Sequence, residues 1–272
     1  MMYKFIDTNQ PASKDTERTC EALYLFEKKK TLDELVNGFT TLRVKGINEI
    51  KQSSNIAELP TDGGFFLSSR LESREIEVTF MLRSNTPQEL VEKQSAINRY
   101  LYSGLKKFTF LTMPNWYYEG VFTSIEYEEG TLNPTGIINI MCPSPYRYSV
   151  DTIEIGLNEA LNAPETIGGK YYPERLEMQL ESTDSLALGG TLKGSDGKKL
   201  IFITSYPDAP QKWVLDFKSA NLKVDGVNKG HLIDIQSDIS SFYLKKGDKL
   251  TVDTGKEIGT NLKMIFRRRE VG

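Results

Sequence analysis

Between Glu75 and Leu82 the chain alternates, with Ile76, Val78, Phe80 and Leu82 on one side and Glu75, Glu77, Thr79 and Met81 on the other. This is the pattern of a strand with one buried face. Phe65 and Leu67 precede it, after the turn residues Thr61-Asp62-Gly63-Gly64. The pattern then changes period. Thr86-Pro87-Gln88-Glu89 carries an N-cap hydroxyl, a proline for the first helical position and a glutamate at N3, the makings of a capping box. Leu90, Ile97, Tyr100 and Leu101 recur along one helical face, and Gly104 is placed to end the helix in a left-handed cap. The spacing predicts a helix over roughly 87–103, and a second, short one over Leu32–Val36. Three strands follow, at Phe108–Leu111, Tyr117–Ile125 and Gly136–Cys142, separated by Pro, Asn and Gly punctuation.

Pro143-Ser144-Pro145 cannot continue a central strand and stiffens the chain into a connector. Beyond it the helical period disappears. Short alternating runs occur at Leu176/Met178/Leu180, Leu200–Ile203, Trp213/Leu215/Phe217, Leu222/Val224, Leu232–Ile235, Phe242/Leu244, Leu250/Val252 and Leu262/Met264/Phe266. Gly189-Gly190, Asp196-Gly197, Asp225-Gly226 and Lys246-Gly247-Asp248 are the turn signals between them. Turns every 8–12 residues indicate a β-sandwich or jelly roll. The expected fold is an α+β N-terminal domain, β-rich with one helix, over 1–145, and an all-β sandwich over 146–272.

Composition narrows the function classes. The 272 residues are 39% hydrophobic and 26% charged, with 34 basic and 37 acidic side chains and a net charge of −3. Packed cores are expected, and the absence of a basic excess argues against nucleic acid as the main ligand. Cys20 and Cys142 are too few for a disulfide framework, and one histidine, His231, excludes His-rich metal centres. No export signal or membrane span is visible: an acid follows Met1–Ile6 at once, and Ile137–Cys142 is broken at Asn139.

Motifs for chemistry are missing where residue identity defines them. Gly197-Lys198 and Gly255-Lys256 lack the upstream glycine and the following Ser or Thr of a phosphate loop, and G-x-G-x-x-G and G-x-S-x-G do not occur. His231, the single imidazole, reads as an exposed residue at the start of a strand. Glu72, Glu75 and Glu77 read as the polar face of a strand, and Glu126, Glu128 and Glu129 as the approach to a turn at Gly130. Trp213 alternates in phase with Leu215 and Phe217 and reads as core. Lys28–Lys30 and Arg267–Arg269 read as a solvated turn and terminus. Trp116-Tyr117-Tyr118 differs, because three successive aromatics cannot all face one side of a strand. At least one points outward, which makes Trp116, Tyr117 and Tyr118 the candidate protein-interface residues. Catalytic, cofactor-binding and metal-binding residues are not expected, and no cofactor is.

Phe65–Arg70, Arg74–Phe80, the helix from Thr86-Pro87, Leu105–Phe110, Pro114–Gly120 and Cys142–Tyr148 together resemble, in order and spacing, the phage tail-component family of siphophage distal tail proteins. The resemblance covers roughly 40–148. Lys212–Phe217, Val224–Val227 and Phe242–Asp248 are similar to that family in style; residues 1–35 lie outside it. The resemblance implies an N-terminal domain that closes a homohexameric ring and a galectin-like C-terminal sandwich that projects outward. The ring would join the major tail tube protein above to the tail-associated hub or lysin protein below, at the virion tail tip. It would be made in the host bacterial cytoplasm, pass DNA through its lumen without reading sequence, and support baseplate or receptor-binding proteins. The family is not enzymatic. Two other classes remain open on the residues: a carbohydrate- or receptor-binding module recognising a cell-wall polymer, and a cell-wall glycosidase needing a carboxylate pair in a groove.

Overall fold

The computed structural model describes residues 21–59, 62–102, 104–180, 190–202, 211–254 and 261–271. The expectations for Cys20, Thr61, Gly189, Ile203 and Gly255-Lys256 therefore lie outside the described residues. The chain divides into two compact units between Arg147 and Tyr148.

The first unit runs β1 (Leu23–Leu25), β2 (Lys30–Thr31), α1 (Leu32–Leu35), β3 (Phe39–Lys45), β4 (Gln52–Glu58), β5 (Gly64–Leu71), β6 (Arg74–Leu82), α2 (Pro87–Leu101), β7 (Lys106–Phe110), β8 (Trp116–Tyr127) and β9 (Thr135–Cys142). β6 is its centre, antiparallel to β3 on one side and to β9 on the other. Its alternation has the expected consequence: Ile76, Val78, Phe80 and Leu82 are all at most 1% exposed. The long β8 serves two groupings, pairing its first half with β7 and its second half with β9, with a register shift between Phe122 and Ser124. Leu23, Leu25, Phe108, Phe110 and Tyr118 from one grouping share a core with the inward face of β6 and β9 and with Ile97 and Leu101 of α2.

Both helices are fixed by their first turns, but not as expected. Thr86 Oγ1 accepts the Glu89 N–H at 3.2 Å, while the Glu89 carboxylate reaches past the cap to the Asn85 N–H at 2.8 Å. The reciprocal capping box belongs instead to the four-residue α1, where Thr31 and Glu34 each accept the other's backbone N–H. α2 stops at Leu101. Tyr102 is already extended, its N–H on the Asn98 carbonyl, so left-handed Gly104 (φ +69°) lies beyond the cap and does not form it.

β10 (Tyr146–Gly156) carries the chain into the second unit, with β11 (Lys170–Tyr171), β12 (Pro173–Leu180), β13 (Thr191–Lys193), β14 (Lys199–Ile201), β15 (Gln211–Asp216), β16 (Asn221–Val224), β17 (Val227–Asn228), β18 (Leu244–Lys245), β19 (Thr251–Thr254) and β20 (Asn261–Val271). The larger layer has the order β17-β16-β15-β12-β20-β10; β14-β13-β19 forms the smaller one, and β11 pairs with β18. Leu176, Met178, Trp213, Leu215, Met264 and Phe266 from the larger layer meet Leu192, Leu200, Phe202 and Leu250 in one core, which makes the unit a β-sandwich. Val224 pairs with Val227 across Asp225-Gly226, both with positive φ, the two-residue turn that matches strand twist.

Two expectations fail here. Leu232–Ile235 is not a strand. Gly230–Leu232 is a 3-10 turn, Ile233 makes one bridge to Phe202, and Ile235 is fully exposed. The Asn228 and Asp234 side chains accept the N–H groups of Gly230 and Gln236, so local side-chain bonds displace a ladder. Arg267–Arg269 is not a solvated terminus either. It lies within β20, where Arg267 pairs with Glu174 at 2.7 Å and donates to the Ser149 and Val150 carbonyls, and Arg269 stacks over Tyr172 at 4.1 Å.

Candidate functional site

The groups that chemistry would need are scattered. Among the described residues, no cluster of three or more His, Cys, Asp or Glu side chains is placed to hold a metal. His231 is exposed in the 3-10 turn, 30 residues of sequence beyond β14 and off any strand start. Glu75 and Glu77 do lie on the outward face of β6, where Lys51 and Lys45 bind them at 2.5 and 2.7 Å. The Lys51 hydrogen bond holds the Glu75 carboxyl below the usual carboxylate range, opposite to what a general acid needs. Glu128 accepts the Thr135 hydroxyl at the β8–β9 turn, and Asn139 donates to Ser124 and Glu126. This outward face, with Thr123 and Met141, is a shallow polar depression flanked by ion pairs.

The aromatic triplet is divided by the strand pleat, but its outward member is covered. Tyr118 is fully buried on the core face, stacked on Phe108 with the Arg74 guanidinium over its ring. Tyr117, on the other face, is 3% exposed, held edge-on by Phe26 and beneath Lys107 at 4.8 Å. Trp116 is half-buried under Arg147 at 4.8 Å. The steric argument from alternation holds, yet neither tyrosine is an open surface of this chain. Trp213 is 1% exposed with its Nε1–H on Gln211, so it offers no face to a sugar.

The feature that sequence reading missed is the β4–β5 hairpin. Among the described residues, its two strands pair only with each other and none of its side chains belongs to either hydrophobic core. Ile56, Phe65, Phe66 and Leu67 are nevertheless 57–64% exposed. Ile56 sits opposite Phe66 and Ala57 opposite Phe65, so the two cross-strand pairs occupy opposite faces. Gly64 permits the pairing, since a Cβ there would come within 2.6 Å of Ile56 Cγ2.

This arm has a rigid root. Arg74, 4% exposed, donates through Nη1 to the Gly46 and Ile47 carbonyls and through Nε and Nη2 to the Pro145 carbonyl. Gly46 adopts φ +88°, and a side chain there would overlap the Glu75 carbonyl, so both its backbone and its surroundings call for glycine. The Glu72 N–H on Lys51 O, at 2.9 Å, and the Lys51–Glu75 ion pair close the other side. A buried cation on three backbone carbonyls holds the loop–strand junction in one geometry. A single signal pointed to the arm: three consecutive large apolar residues at 65–67, too apolar for a strand with a solvent face.

No protein-family model matches the sequence, and no curated protein does. Solved structures do match. The crystal structure of the SPP1 Dit protein, described as a paradigm of the hub adsorption apparatus in phages infecting Gram-positive bacteria, aligns with a TM-score of 0.70 at 16% identity. The alignment covers 92% of this chain and 98% of that one. A chain of the phage P2 baseplate in its activated conformation with calcium aligns with a TM-score of 0.51 at 9% identity, covering 86% and 92%. At these identities it is the backbone arrangement that is shared. The chain therefore has, over nearly its whole length, the fold of the SPP1 Dit protein.

Proposed function

We propose that this chain is a structural hub of a siphophage tail tip. Six copies form a ring through the N-terminal unit, joining the tail tube to the tail-associated hub protein, and the C-terminal sandwich carries peripheral baseplate or receptor-binding proteins. The observation that carries this reading is the near end-to-end match to SPP1 Dit, in which both units align in one chain. Two features support it. The acids of the β6 face are engaged by lysines, giving a surface that does not bind a polyanion strongly. The apolar β4–β5 arm, which packs on no other strand or helix among the described residues, suits protein contact. The mechanism is scaffolding, with binding free energy spread over heterologous contacts that close a ring.

A carbohydrate-binding role loses its clearest platform with Trp213 inside the core, and no activity is proposed. Light scattering with negative-stain imaging tests the ring. Six copies of the 30.8 kDa chain give about 185 kDa and an annular particle. A particle without six-fold closure would overturn the ring reading.

A further inference from the structure

In the second unit, β11 and β18 set two like charges against each other. Tyr171 and Leu244 of this ladder face the core, 1% and 0% exposed, while Lys170 and Lys245 stand directly opposite one another on the outward face. Like charges so placed destabilise a strand pair. By alternation Tyr172 and Tyr243 lie on that same face, their rings 5.8 Å apart. Lys170 Nζ lies 4.6 Å over the Tyr243 ring and the Arg269 guanidinium 4.1 Å over the Tyr172 ring, so cations and phenols interleave.

Asp196 reaches into this group. One carboxylate oxygen accepts the Tyr243 hydroxyl and the other accepts Lys245 Nζ at 2.8 Å. Lys245 and Tyr243, with Lys170 behind them, hold the Asp196 carboxyl below the usual carboxylate range. The bond to Asp196 pushes the Tyr243 phenol up to about 12, so it stays a donor at neutral pH. The arrangement is open to solvent, with the Lys245 and Asp196 side chains 47% and 52% exposed. Asp196 belongs to the 3-10 turn Ser195–Gly197 and has φ +53°, a left-handed backbone that glycine adopts more easily. Lys245 is anchored independently of that carboxylate: its N–H binds Ser195 Oγ at 2.8 Å, and the Ser195 hydroxyl donates to Asp248. A carboxylate is thus carried into a cationic, phenolic cradle from a backbone position that favours glycine. Local strain of this kind is found where a site has a use for it.

We propose that Lys170, Tyr243 and Lys245, with Arg269 beside them, form a binding site for a phosphate group, and that Asp196 is its built-in competitor. Phosphate suits the cradle better than a second carboxylate does, because its oxygens outnumber a carboxylate's and more than one cation faces the position. A free phosphate and a phosphodiester link in a polymer present the same kind of oxygen, and the test separates them. The full chain is titrated with inorganic phosphate at constant ionic strength, made up with chloride, and binding is read by phosphorus NMR relaxation. Asp196→Gly, which suits the left-handed backbone, is expected to tighten phosphate binding about threefold or more, the scale of one exposed charge pair. Asp196→Asn, which keeps the side chain's shape, is expected to act in the same direction. Lys170→Gln with Lys245→Gln is expected to weaken binding by at least as much. A merely structural Asp196 predicts the opposite sign, so unchanged or weaker binding by both Asp196 variants would overturn the proposal. Displacement of phosphate by an equal concentration of acetate would overturn the choice of ligand. Glycerol 3-phosphate and the diester glycerophosphoglycerol supply the remaining arms: tighter binding of the diester assigns the site to a phosphate-linked polymer, and the reverse to a small phosphate compound. Absence of phosphate binding to the wild type and to the Asp196 variants alike would overturn the site and leave the tail-hub reading standing.

Discussion

Replacing Arg74 with methionine keeps the buried aliphatic volume and removes the guanidinium. Three carbonyls, on Gly46, Ile47 and Pro145, then lose four N–H donors, and the cation over Tyr118 is lost with them. Hydrogen bonds to a charged group contribute about 1.5–3 kcal/mol each, and breaking one side of a buried charged network costs about 3–5 kcal/mol once water reaches some of the orphaned groups. For a unit of this size that is roughly 10–20 °C in melting temperature. Trp116 lies in the first unit and Trp213 in the second, so urea denaturation followed by fluorescence in a Trp213→Phe background reports the first unit alone. The expected result is a loss of about 3–5 kcal/mol in the unfolding free energy read by that probe, together with faster amide exchange in β4 and β5, whose junction the guanidinium holds. Arg74→Lys should recover only part of the loss, because one ammonium cannot span three carbonyls. A loss below about 1 kcal/mol, or full recovery by lysine, would refute the account of the root as a multidentate clamp.

Other outcomes follow from the same structure. Gly46→Ala should destabilise the first unit by more than about 2 kcal/mol in the same assay, since the residue is left-handed and a Cβ overlaps the Glu75 carbonyl. Burial pushes both the Cys142 thiol and the Tyr127 hydroxyl up to about 12. Their folded forms hold protons that the unfolded chain releases from about pH 9 to 10 upward, so stability is intact below that range and falls as pH rises toward 12. Cys142→Ala with Tyr127→Phe should flatten that alkaline slope in denaturation curves collected from pH 8 to 11. Met264→Ala, in the second core, should cost about 2–5 kcal/mol and move only the Trp213 transition, which a shared transition would contradict.

The legible parts of the fold are those where one face of an element is buried in its own chain. β6 and β9 alternate because their outward faces meet water, and α2 announces itself through Thr86, Pro87 and the spacing to Ile97 and Leu101. Trp213 reads as core from its phase with Leu215, and it is core. The failures have specific causes. Leu232–Ile235 has strand-like composition, but Asn228 and Asp234 bind nearby N–H groups and turn the backbone. Arg267–Arg269 looks like a charged tail, and its guanidinia are used against Glu174, backbone carbonyls and Tyr172. The triplet 116–118 divides between two faces, yet Phe26, distant in sequence, and Lys107 on the neighbouring strand cover the face that the pattern leaves open.

The sequence by itself determined the long helix, the clearly alternating strands such as β6 and β9, and that the chain has two differently built halves, because period and turn chemistry are local properties. It also carried, in the order of its motifs, the resemblance to distal tail proteins whose fold the structure matches. Only the tertiary structure decided that Phe65, Phe66 and Leu67 are exposed. Apolar side chains on successive positions read as burial on both faces, and a one-dimensional pattern does not show that this chain leaves them exposed. It likewise decided the role of Arg74, since a cation's partners here are carbonyls at 46, 47 and 145, groups that every residue carries and no pattern marks.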